Sequence, residues 1–329
     1  SGFSDEDYSA AGAQIESTAK AIFVKSDMIV KVKEPQPNEV EMIKPNQIVF
    51  TYFHFAADKE LTDSIIDTTS IAIAYETVQS DNGKLPLLIP MSEVAGRMAV
   101  QNGAKCLEAS MGGRGKLLSG VPGVEPATVT VLGGGIVGMN AAKLAAGLGA
   151  KVNILDVSAD RLKYLDDIMP PNVFTLYSNR HTILDLLPTT DLLIGAVLVV
   201  GAKAPNLVTR EMLALMPERS VIIDVAVDQG GCVETCRPTT HKDPTYDVDG
   251  IIHYCVANMP GAVPYTSTIA LSNTTYPYIR SIANKGYQGA LLADKALLKG
   301  LNIYKGKVTH QGVADAFGLD YTEPKVAIC

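Results

Sequence analysis

Short runs of apolar residues recur through the middle of the chain and alternate with segments of helical or loop character. Short apolar runs bounded by turn residues are typical of strands buried in a sheet. Because such strands alternate with helical segments, the pattern predicts a parallel sheet wound by right-handed crossovers, a doubly wound Rossmann-type sheet. The six predicted strands cover residues 128–132, 151–155, 173–177, 191–198, 220–227 and 251–257.

A second group of apolar runs lies nearer the start of the chain. A helix-like stretch, 57–69, lies among these runs, so the pattern indicates another α/β unit. The strands predicted for this unit cover residues 28–32, 47–54 and 70–75.

The two groups of predicted strands, with a helical segment between them, predict two domains. Residues 91–109 show helical spacing, with Ser92 as the predicted N-cap of a helix that joins the domains. After residue 264 the pattern turns helical, with Gly300 as a C-cap. We therefore expect a continuous dinucleotide-binding domain and a discontinuous α/β substrate domain, with boundaries at 87–264 and at 1–86 plus 265–329.

The most informative segment is 127–156, ATVTVLGGGIVGMNAAKLAAGLGAKVNILD, in which a glycine turn joins a strand to a helix of small residues. Gly133 permits the tight turn, Gly135 permits close approach of a pyrophosphate, and Gly138 permits close packing of helix on sheet. The N-terminus of that helix favours an anion. Asp156 stands about 20 residues after the turn, where an acid binds the ribose 2′-hydroxyl and repels a 2′-phosphate. The segment predicts binding of NAD in preference to NADP.

Composition and charge narrow the class of protein. Apolar residues form 47% and charged residues 19% of 329 residues, which is typical of a globular chain large enough for two domains. The net charge of −7 argues against a nucleic-acid partner. An odd number of cysteines, five, favours reduced thiols and a cytoplasmic location. The apolar run 192–202 is too short to cross a membrane, and no secretion signal is visible.

A zinc site is not expected. Cys232 and Cys236 have a spacing that superficially suggests one, but no second pair of cysteines or histidines follows at zinc-finger distance.

Polar residues just beyond the predicted strands are candidates for chemistry, because ligands bind outside the carboxyl ends of parallel strands. Lys33 offers a cation for an anionic substrate, His54 an imidazole that titrates near neutrality, and Asp228 a carboxylate. Each also has a structural interpretation: Lys33 as a solvated surface lysine, His54 as a core residue among aromatic neighbours, and Asp228 as the cap of the following turn. Asp224, four residues earlier on the same strand, is expected to be structural.

Ordered motifs along essentially the whole chain resemble those of the alanine dehydrogenase family. The matching segments are VKVKEP (30–35), TYFHFAA (51–57), AYETVQ (74–79), PLLIPMSEVAGRMA (86–99), GGRGKLLSGVPGVEPA (112–127), the glycine turn (133–138), GAVLVVGAKAP (195–205), DVAVDQGGC (224–232), RPTTHKDPTY (237–246) and CVANMPGAVPYTST (255–268).

The resemblance implies reversible oxidative deamination of L-alanine to pyruvate and ammonium, with NAD as the hydride acceptor. It implies that His54 and Asp228 are catalytic and that Lys33 binds the substrate. It also implies a hexamer and a set of cofactor contacts beyond the glycine turn: Ser92, Asp156, Arg161, Ser178, Val197, Leu198, Ala257, Asn258 and Met259.

Two departures from the family pattern alter these expectations. The strand and loop with which family members begin, whose arginine pairs with the substrate carboxylate, are not found in this sequence, so we expect weaker substrate binding. In some members a glutamate matching Glu76 contacts a metal together with a later histidine, but Lys285 stands at that later position. We therefore expect no metal.

Two alternatives remain open at this point. The NAD-binding subunit of the proton-pumping transhydrogenase has the same fold and glycine turn, although His54, Lys33 and the Asp-Gln-Gly-Gly segment argue against it. The other alternative is an NAD-binding fragment without turnover.

Overall fold

A computed structural model describes residues 1–197, 205–227 and 230–329, so the predicted site residues Leu198 and Asp228 lie outside the described residues. The strands of the described residues are β1 (Met28–Val30), β2 (Ile48–Thr51), β3 (Ile71–Ala74), β4 (Thr128–Leu132), β5 (Lys151–Asp156), β6 (Val173–Tyr177), β7 (Leu192–Gly195), β8 (Val221–Asp224), β9 (Thr245–Val248), β10 (Ile251–Tyr254), β11 (Leu301–Tyr304) and β12 (Lys307–Val308).

The helices are α1 (Asp5–Ala10), α2 (Ala19–Lys25), α3 (Pro37–Val40), α4 (Lys59–Asp67), α5 (Ile89–Cys106), α6 (Ile136–Gly147), α7 (Ala159–Ile168), α8 (Arg180–Leu186), α9 (Pro264–Ala293), α10 (Lys295–Lys299), α11 (Gln311–Phe317) and α12 (Pro324–Ile328). The chain divides into two compact units. The first unit is Ser1–Pro90 with Thr268–Cys329, and the second unit is Met91–Ser267.

The sheet of the first unit has the strand order β1-β2-β3-β11-β12. The strands β1, β2 and β3 are parallel, with Val30 opposite Phe50 and Phe50 opposite Ile73. β3 is buried along its whole length, as its sequence Ile-Ala-Ile-Ala suggests. The carboxyl ends of these three strands therefore meet at one edge of the sheet.

The pattern after residue 264 predicts helices only, but the end of the chain also contains two strands. β11 and β12 form a hairpin that adds to β3 in the antiparallel direction. Lys305 and Gly306 connect the two strands, both with positive φ, which is the geometry of a two-residue hairpin turn. The predicted C-cap is confirmed: Gly300 caps α10, whose last helical residue is Lys299.

The sheet of the second unit confirms the predicted fold class. Its strand order is β6-β5-β4-β7-β8-β10-β9, and the first six strands are parallel. This is the strand order of the doubly wound dinucleotide-binding sheet. In that sheet the order of successive strands reverses beside the first strand, which is β4 here. Three strands end three residues earlier than predicted: β7 ends at Gly195, β8 at Asp224 and β10 at Tyr254.

β9 was not predicted, and it pairs with β10 in the antiparallel direction at the edge of the sheet. Asp249 and Gly250 join the two strands, both with positive φ. The Asp-Gly pair between apolar runs is a strong hairpin signal that the strand–helix interpretation overlooked.

The predicted N-cap at Ser92 is wrong. α5 already begins at Ile89, so Ser92 lies inside the helix. Pro90 explains the earlier start, because proline is well suited to the first turn, where its missing N–H leaves no hydrogen bond unmade.

Small residues bring α6 close to the sheet of the second unit. Ala141, Ala142 and Ala145 are fully buried against a core that includes Val129 and Val131 of β4. Across the described ranges, none of the helices combines the length and the apolar character that a membrane span requires.

Candidate active site

The glycine turn after β4 is closely packed at Gly133 and Gly138 and open at Gly135, as a binding site for a pyrophosphate requires. Gly133 has a φ of 101°, and a Cβ there would lie 2.7 Å from the Ala196 carbonyl oxygen. A Cβ on Gly138 would lie 1.8 Å from the Gly133 carbonyl oxygen, so only glycine lets α6 approach. A Cβ on Gly135, the N-cap of α6, would meet nothing within 4 Å. The residues present therefore fit a dinucleotide phosphate lying over Gly135.

Asp156, the last residue of β5, braces this turn. Its Oδ2 accepts a hydrogen bond of 2.8 Å from the Gly134 N–H, and its Oδ1 accepts one of 2.9 Å from the Ser158 N–H. The carboxylate is thus held beside the turn, where a ribose hydroxyl is expected.

Arg161 of α7 reaches the same turn. Its Nε donates to the Gly134 carbonyl oxygen, and its guanidinium lies over the Tyr164 ring, 4.9 Å from the centroid. Asp156 and Arg161 therefore bind the two polar backbone groups of Gly134, its N–H and its carbonyl oxygen.

Other predicted cofactor residues follow strands at the same edge of the sheet. The Ser178 N–H donates to the Asp156 carbonyl oxygen at 2.9 Å, and the Val197 side chain lies 3.1 Å from the Cβ position of Gly133. Ser92 lies on α5, which packs tightly on α6: a Cβ on Gly96, one turn later, would lie 2.2 Å from the Val137 carbonyl oxygen.

The turn of Ala257, Asn258 and Met259 follows β10. Asn258 adopts a left-handed conformation with a φ of 58°, and it begins a 3₁₀ helix, Met259–Ala262. The Ala257 N–H donates to the Thr239 carbonyl oxygen at 3.1 Å. The turn therefore has a defined backbone shape, held by the segment that contains Thr239.

Asp224 has the structural role expected for it. It is fully buried at the end of β8 and accepts hydrogen bonds from the N–H groups of Ala226, Cys232 and Val233 at 3.0, 2.8 and 3.2 Å. Burial raises the pKa of its carboxyl group, while these hydrogen bonds oppose the rise. Asp224 therefore links backbone N–H groups that lie 2, 8 and 9 residues after it in the chain.

In the first unit, the predicted site residues stand where β1 and β2 end. The Lys33 carbonyl oxygen accepts a hydrogen bond of 2.9 Å from Thr51 Oγ1, and Thr51 is fully buried. The Lys33 side chain is 56% exposed and has Glu34 as its ion-pair partner among the described residues, at 3.9 Å. An exposed amine fits both a substrate contact and a surface lysine, so its role stays a prediction.

His54 is not a core residue, although its neighbours in sequence are. Tyr52, Phe53 and Phe55 are buried, whereas His54 is exposed. Its backbone is left-handed, with a φ of 56°, and its ring lies parallel to the Tyr52 ring at 5.9 Å. The turn thus directs one polar ring outward from an aromatic cluster, although its catalytic role is still a prediction.

Glu76 was not among the residues assigned a role from the sequence. It follows β3, and its Oε1 accepts hydrogen bonds from the N–H groups of His54 at 2.6 Å and Phe53 at 3.2 Å. Burial raises the pKa of the Glu76 carboxyl group, and the charge of His54 opposes this. Its position directly after a buried strand is the same signal that pointed to Lys33 and His54. The structure thus brings Glu76 against the His54 backbone at the strand ends.

None of the described residues form a group of three or more His, Cys, Asp or Glu side chains placed to hold a metal ion. The carboxylate of Glu76 is directed to backbone N–H groups instead.

Two family models match the chain. The C-terminal domain of alanine dehydrogenase/PNT matches residues 99–311, and the N-terminal domain matches residues 1–95. The chain belongs to the alanine dehydrogenase/PNT family. The resemblance inferred from the motifs is therefore confirmed.

Relatives with the same family name match over the full length of the chain. The chain is 56% identical to an alanine dehydrogenase of Methanococcus maripaludis, with 100% of the chain and 88% of the relative covered. It is 54% identical to an alanine dehydrogenase of Bacillus subtilis, with 100% and 86% covered.

Two solved structures show the same architecture as this chain. An L-alanine dehydrogenase matches with a TM-score of 0.92 and 52% identity, covering 96% of this chain and 87% of the other. A transhydrogenase from Sinorhizobium meliloti matches with a TM-score of 0.77 but 21% identity, covering 94% and 86%, which shows a shared fold.

Proposed function

We propose that this chain catalyses the reversible NAD-dependent oxidative deamination of L-alanine. In the forward direction, L-alanine, NAD⁺ and water give pyruvate, ammonium, NADH and a proton. The observation that carries the proposal is identity above 50% to alanine dehydrogenases over the entire chain. The transhydrogenase alternative rests on a shared fold with only 21% sequence identity, so it is not favoured.

We assign the cofactor to the second unit and the substrate chemistry to the first, in line with domains at 87–264 and at 1–86 plus 265–329. The glycine turn offers N–H donors at the start of α6, and Asp156 offers an acceptor for a ribose hydroxyl. When bound there, NAD supplies the acceptor for the substrate hydride. The remaining assigned contacts are Ser92, Arg161, Ser178, Val197, Leu198, Ala257, Asn258 and Met259.

The protein residues have separate tasks in this proposal. Lys33 orients the carboxylate or the developing carbonyl oxygen through its ammonium group. His54 moves the proton when water adds to the imine carbon. Asp228 accepts or returns protons at the substrate nitrogen and stabilises the cationic iminium.

The deciding experiment follows NADH absorbance at 340 nm with pyruvate and ammonium as substrates. We expect NADH loss that requires both substrates, formation of L-alanine, and a much poorer reaction with NADPH. The His54→Gln variant should lose roughly 10²- to 10⁴-fold in turnover, because general acid–base catalysis contributes about that much. Its calorimetric affinity for NADH should stay within twofold of the unmodified protein.

Each other outcome has a distinct meaning. NADH binding without turnover supports the non-catalytic fragment and contradicts the enzyme proposal. Hydride exchange between nicotinamide carriers without pyruvate supports the transhydrogenase alternative. An equal loss of turnover and NADH affinity in His54→Gln contradicts the role of His54.

Assembly and location are part of the same proposal. By the family resemblance we propose a hexamer, and by the odd number of cysteines a cytoplasmic protein. Light scattering after size exclusion should give about six times the chain mass of 35.0 kDa. A monomer peak would contradict the assembly proposal while leaving the catalytic one intact.

A further inference from the structure

A tyrosine hydroxyl in the second unit connects two cysteines that are far apart in sequence. The Tyr246 hydroxyl accepts a hydrogen bond of 2.8 Å from the Arg237 N–H and donates one of 3.0 Å to the Thr235 carbonyl oxygen. These are the residues on either side of Cys236. The same hydroxyl lies 3.7 Å from Cys255 Sγ. Tyr246 therefore holds Cys236 and Cys255 in one place.

The contacts of the Tyr246 hydroxyl with both neighbours of Cys236 and with Cys255 Sγ bring the two cysteine side chains close together. The nearby Cys236 and Tyr246 side chains lower the pKa of the Cys255 thiol, whereas Cys255 and burial raise the pKa of the Cys236 thiol. Cys255 is fully buried and Cys236 is partly exposed, so the pair has one sulfur that an oxidant in solution reaches first.

The neighbouring groups give no other explanation for the pair. Among the described residues, the two thiols do not belong to a group of three or more side chains placed to hold a metal ion. Cys232, the next cysteine along the chain, is fully buried, and its thiol keeps its proton because burial raises its pKa. The contact is therefore a dithiol and not a larger cluster.

The dithiol is joined to the turn of Ala257, Asn258 and Met259. Thr239, three residues after Cys236, donates its N–H to the Cys255 carbonyl oxygen at 2.9 Å and accepts from the Ala257 N–H at 3.1 Å. Further along the same segment, His241 Nε2 lies 3.2 Å from the Asn258 carbonyl oxygen. A shift of Cys236 therefore moves the residues that hold the turn.

We propose that Cys236 and Cys255 form an oxidisable pair whose disulfide distorts the turn at Ala257–Asn258–Met259 and weakens NADH binding. The oxidant is a hydroperoxide. Cys236 sulfur attacks one peroxide oxygen, the O–O bond breaks, and the Cys236 proton passes to the departing hydroxide, which gives a sulfenic acid and releases water. Cys255 sulfur then attacks Cys236 sulfur and releases a second water. In total, two thiols and one hydrogen peroxide give one disulfide and two waters.

NADH binding weakens because a disulfide holds its two sulfurs about 2.05 Å apart, which is closer than two sulfurs approach without a bond. Pulling Cys236 inward strains the Thr239 hydrogen bonds on both sides of the turn. This part rests on the proposed function, because it assumes that the turn contacts NAD. The formation of the disulfide does not depend on that assumption.

The test uses full-length protein with Cys329→Ser, which removes the exposed thiol that would link separate molecules. After hydrogen peroxide treatment we expect the loss of two thiols, a mass lower by two hydrogens, and a peptide that joins Cys236 to Cys255. The NADH dissociation constant should rise roughly tenfold, a typical coupling between two sites. Dithiothreitol should reverse each change. The matched control, Cys329→Ser with Cys236→Ser, should form no disulfide and keep its NADH affinity.

Several results would overturn the proposal. One is the persistence of all thiols in millimolar peroxide, and another is a disulfide that uses a different cysteine. A Cys236–Cys255 disulfide without any change in NADH affinity would overturn the coupling to the turn. Failure of the reduced protein to bind NADH would instead contradict the proposed function, which separates the two outcomes.

Discussion

At the scale of single residues, the candidate site depends on side chains that bind the backbone of their neighbours. Thr51 holds the Lys33 carbonyl, and Glu76 holds the N–H groups of Phe53 and His54. The sequence pointed to Lys33 and His54 because they follow apolar runs. It did not predict their supports, because a contact across 18 or 22 residues depends on strand order and register, which the local pattern does not contain.

A prediction at this scale concerns Glu76. Replacement by alanine removes the acceptor for the His54 and Phe53 N–H groups, so we expect a loss of about 1.5–3 kcal/mol in the free energy of unfolding, the size of hydrogen bonds to a charged group. Turnover should fall as the left-handed turn at His54 loosens. Urea unfolding and pyruvate-dependent NADH oxidation measure the two effects.

The conservative variant Glu76→Gln provides the control. Its amide oxygen still accepts from the His54 N–H, so most of the stability should return. NADH affinity should be unchanged in both variants, because the assigned cofactor contacts belong to the second unit. An alanine variant as stable as the unmodified protein would show that the hydrogen bonds at Glu76 have no stabilising role.

At the scale of elements, strands flanked by helices were predictable, while hairpins were not. The parallel strands of both units appeared as apolar runs, but β9, β11 and β12 are short, and each of the three carries polar residues. In the sequence, the two hairpins are indicated by their turn residues, Asp249-Gly250 and Lys305-Gly306, and not by the residues of their strands. The start of α5 was also wrong, because Pro90 lies in the first turn of this helix and Ser92 lies inside it.

A second prediction separates the roles of the glycines around α6. Gly138→Ala should destabilise the protein by several kcal/mol or prevent folding, because its Cβ would lie 1.8 Å from the Gly133 carbonyl oxygen. Gly135→Ala should fold normally but lose NADH affinity, because its Cβ occupies space that is open in the protein. Thermal unfolding and NADH titration distinguish the two.

Gly147→Ala is the matched control, since its Cβ also meets nothing within 4 Å and it lies at the other end of α6. It should preserve both stability and NADH binding. Normal NADH affinity in Gly135→Ala would place the pyrophosphate elsewhere.

At the scale of the whole molecule, each unit has a histidine that burial keeps neutral. His253 of β10 is fully buried, with Nε2 2.8 Å from Thr235 Oγ1 and Nδ1 2.9 Å from the Ile251 carbonyl oxygen. In the first unit, His310 Nδ1 is buried and has no hydrogen-bond partner among the residues that the structure describes. Burial lowers the pKa of both imidazoles.

The third prediction is a loss of stability in mild acid. Unfolded histidine takes up a proton near pH 6.5, whereas these folded side chains do so at lower pH. Their contribution to stability is therefore complete above about pH 6.5 and is lost as the pH falls toward the folded pKa, by up to about 1.4 kcal/mol per pH unit for each histidine. Urea unfolding at several pH values measures this slope.

His253→Gln should flatten the slope, while His181→Gln should leave it unchanged, because the His181 side chain is 86% exposed. An identical slope in His253→Gln and the unmodified protein would show that His253 does not contribute to acid sensitivity.

The brace between Asp156 and Gly134 limits how the choice of nicotinamide carrier can change. Swapping the acid for a small neutral residue would admit a phosphorylated ribose, yet the same exchange would leave the loop amide without its acceptor. Selectivity and loop architecture are thus encoded by a single side chain. Natural drift or protein engineering toward the phosphorylated carrier must therefore supply a new partner for that amide at the same time.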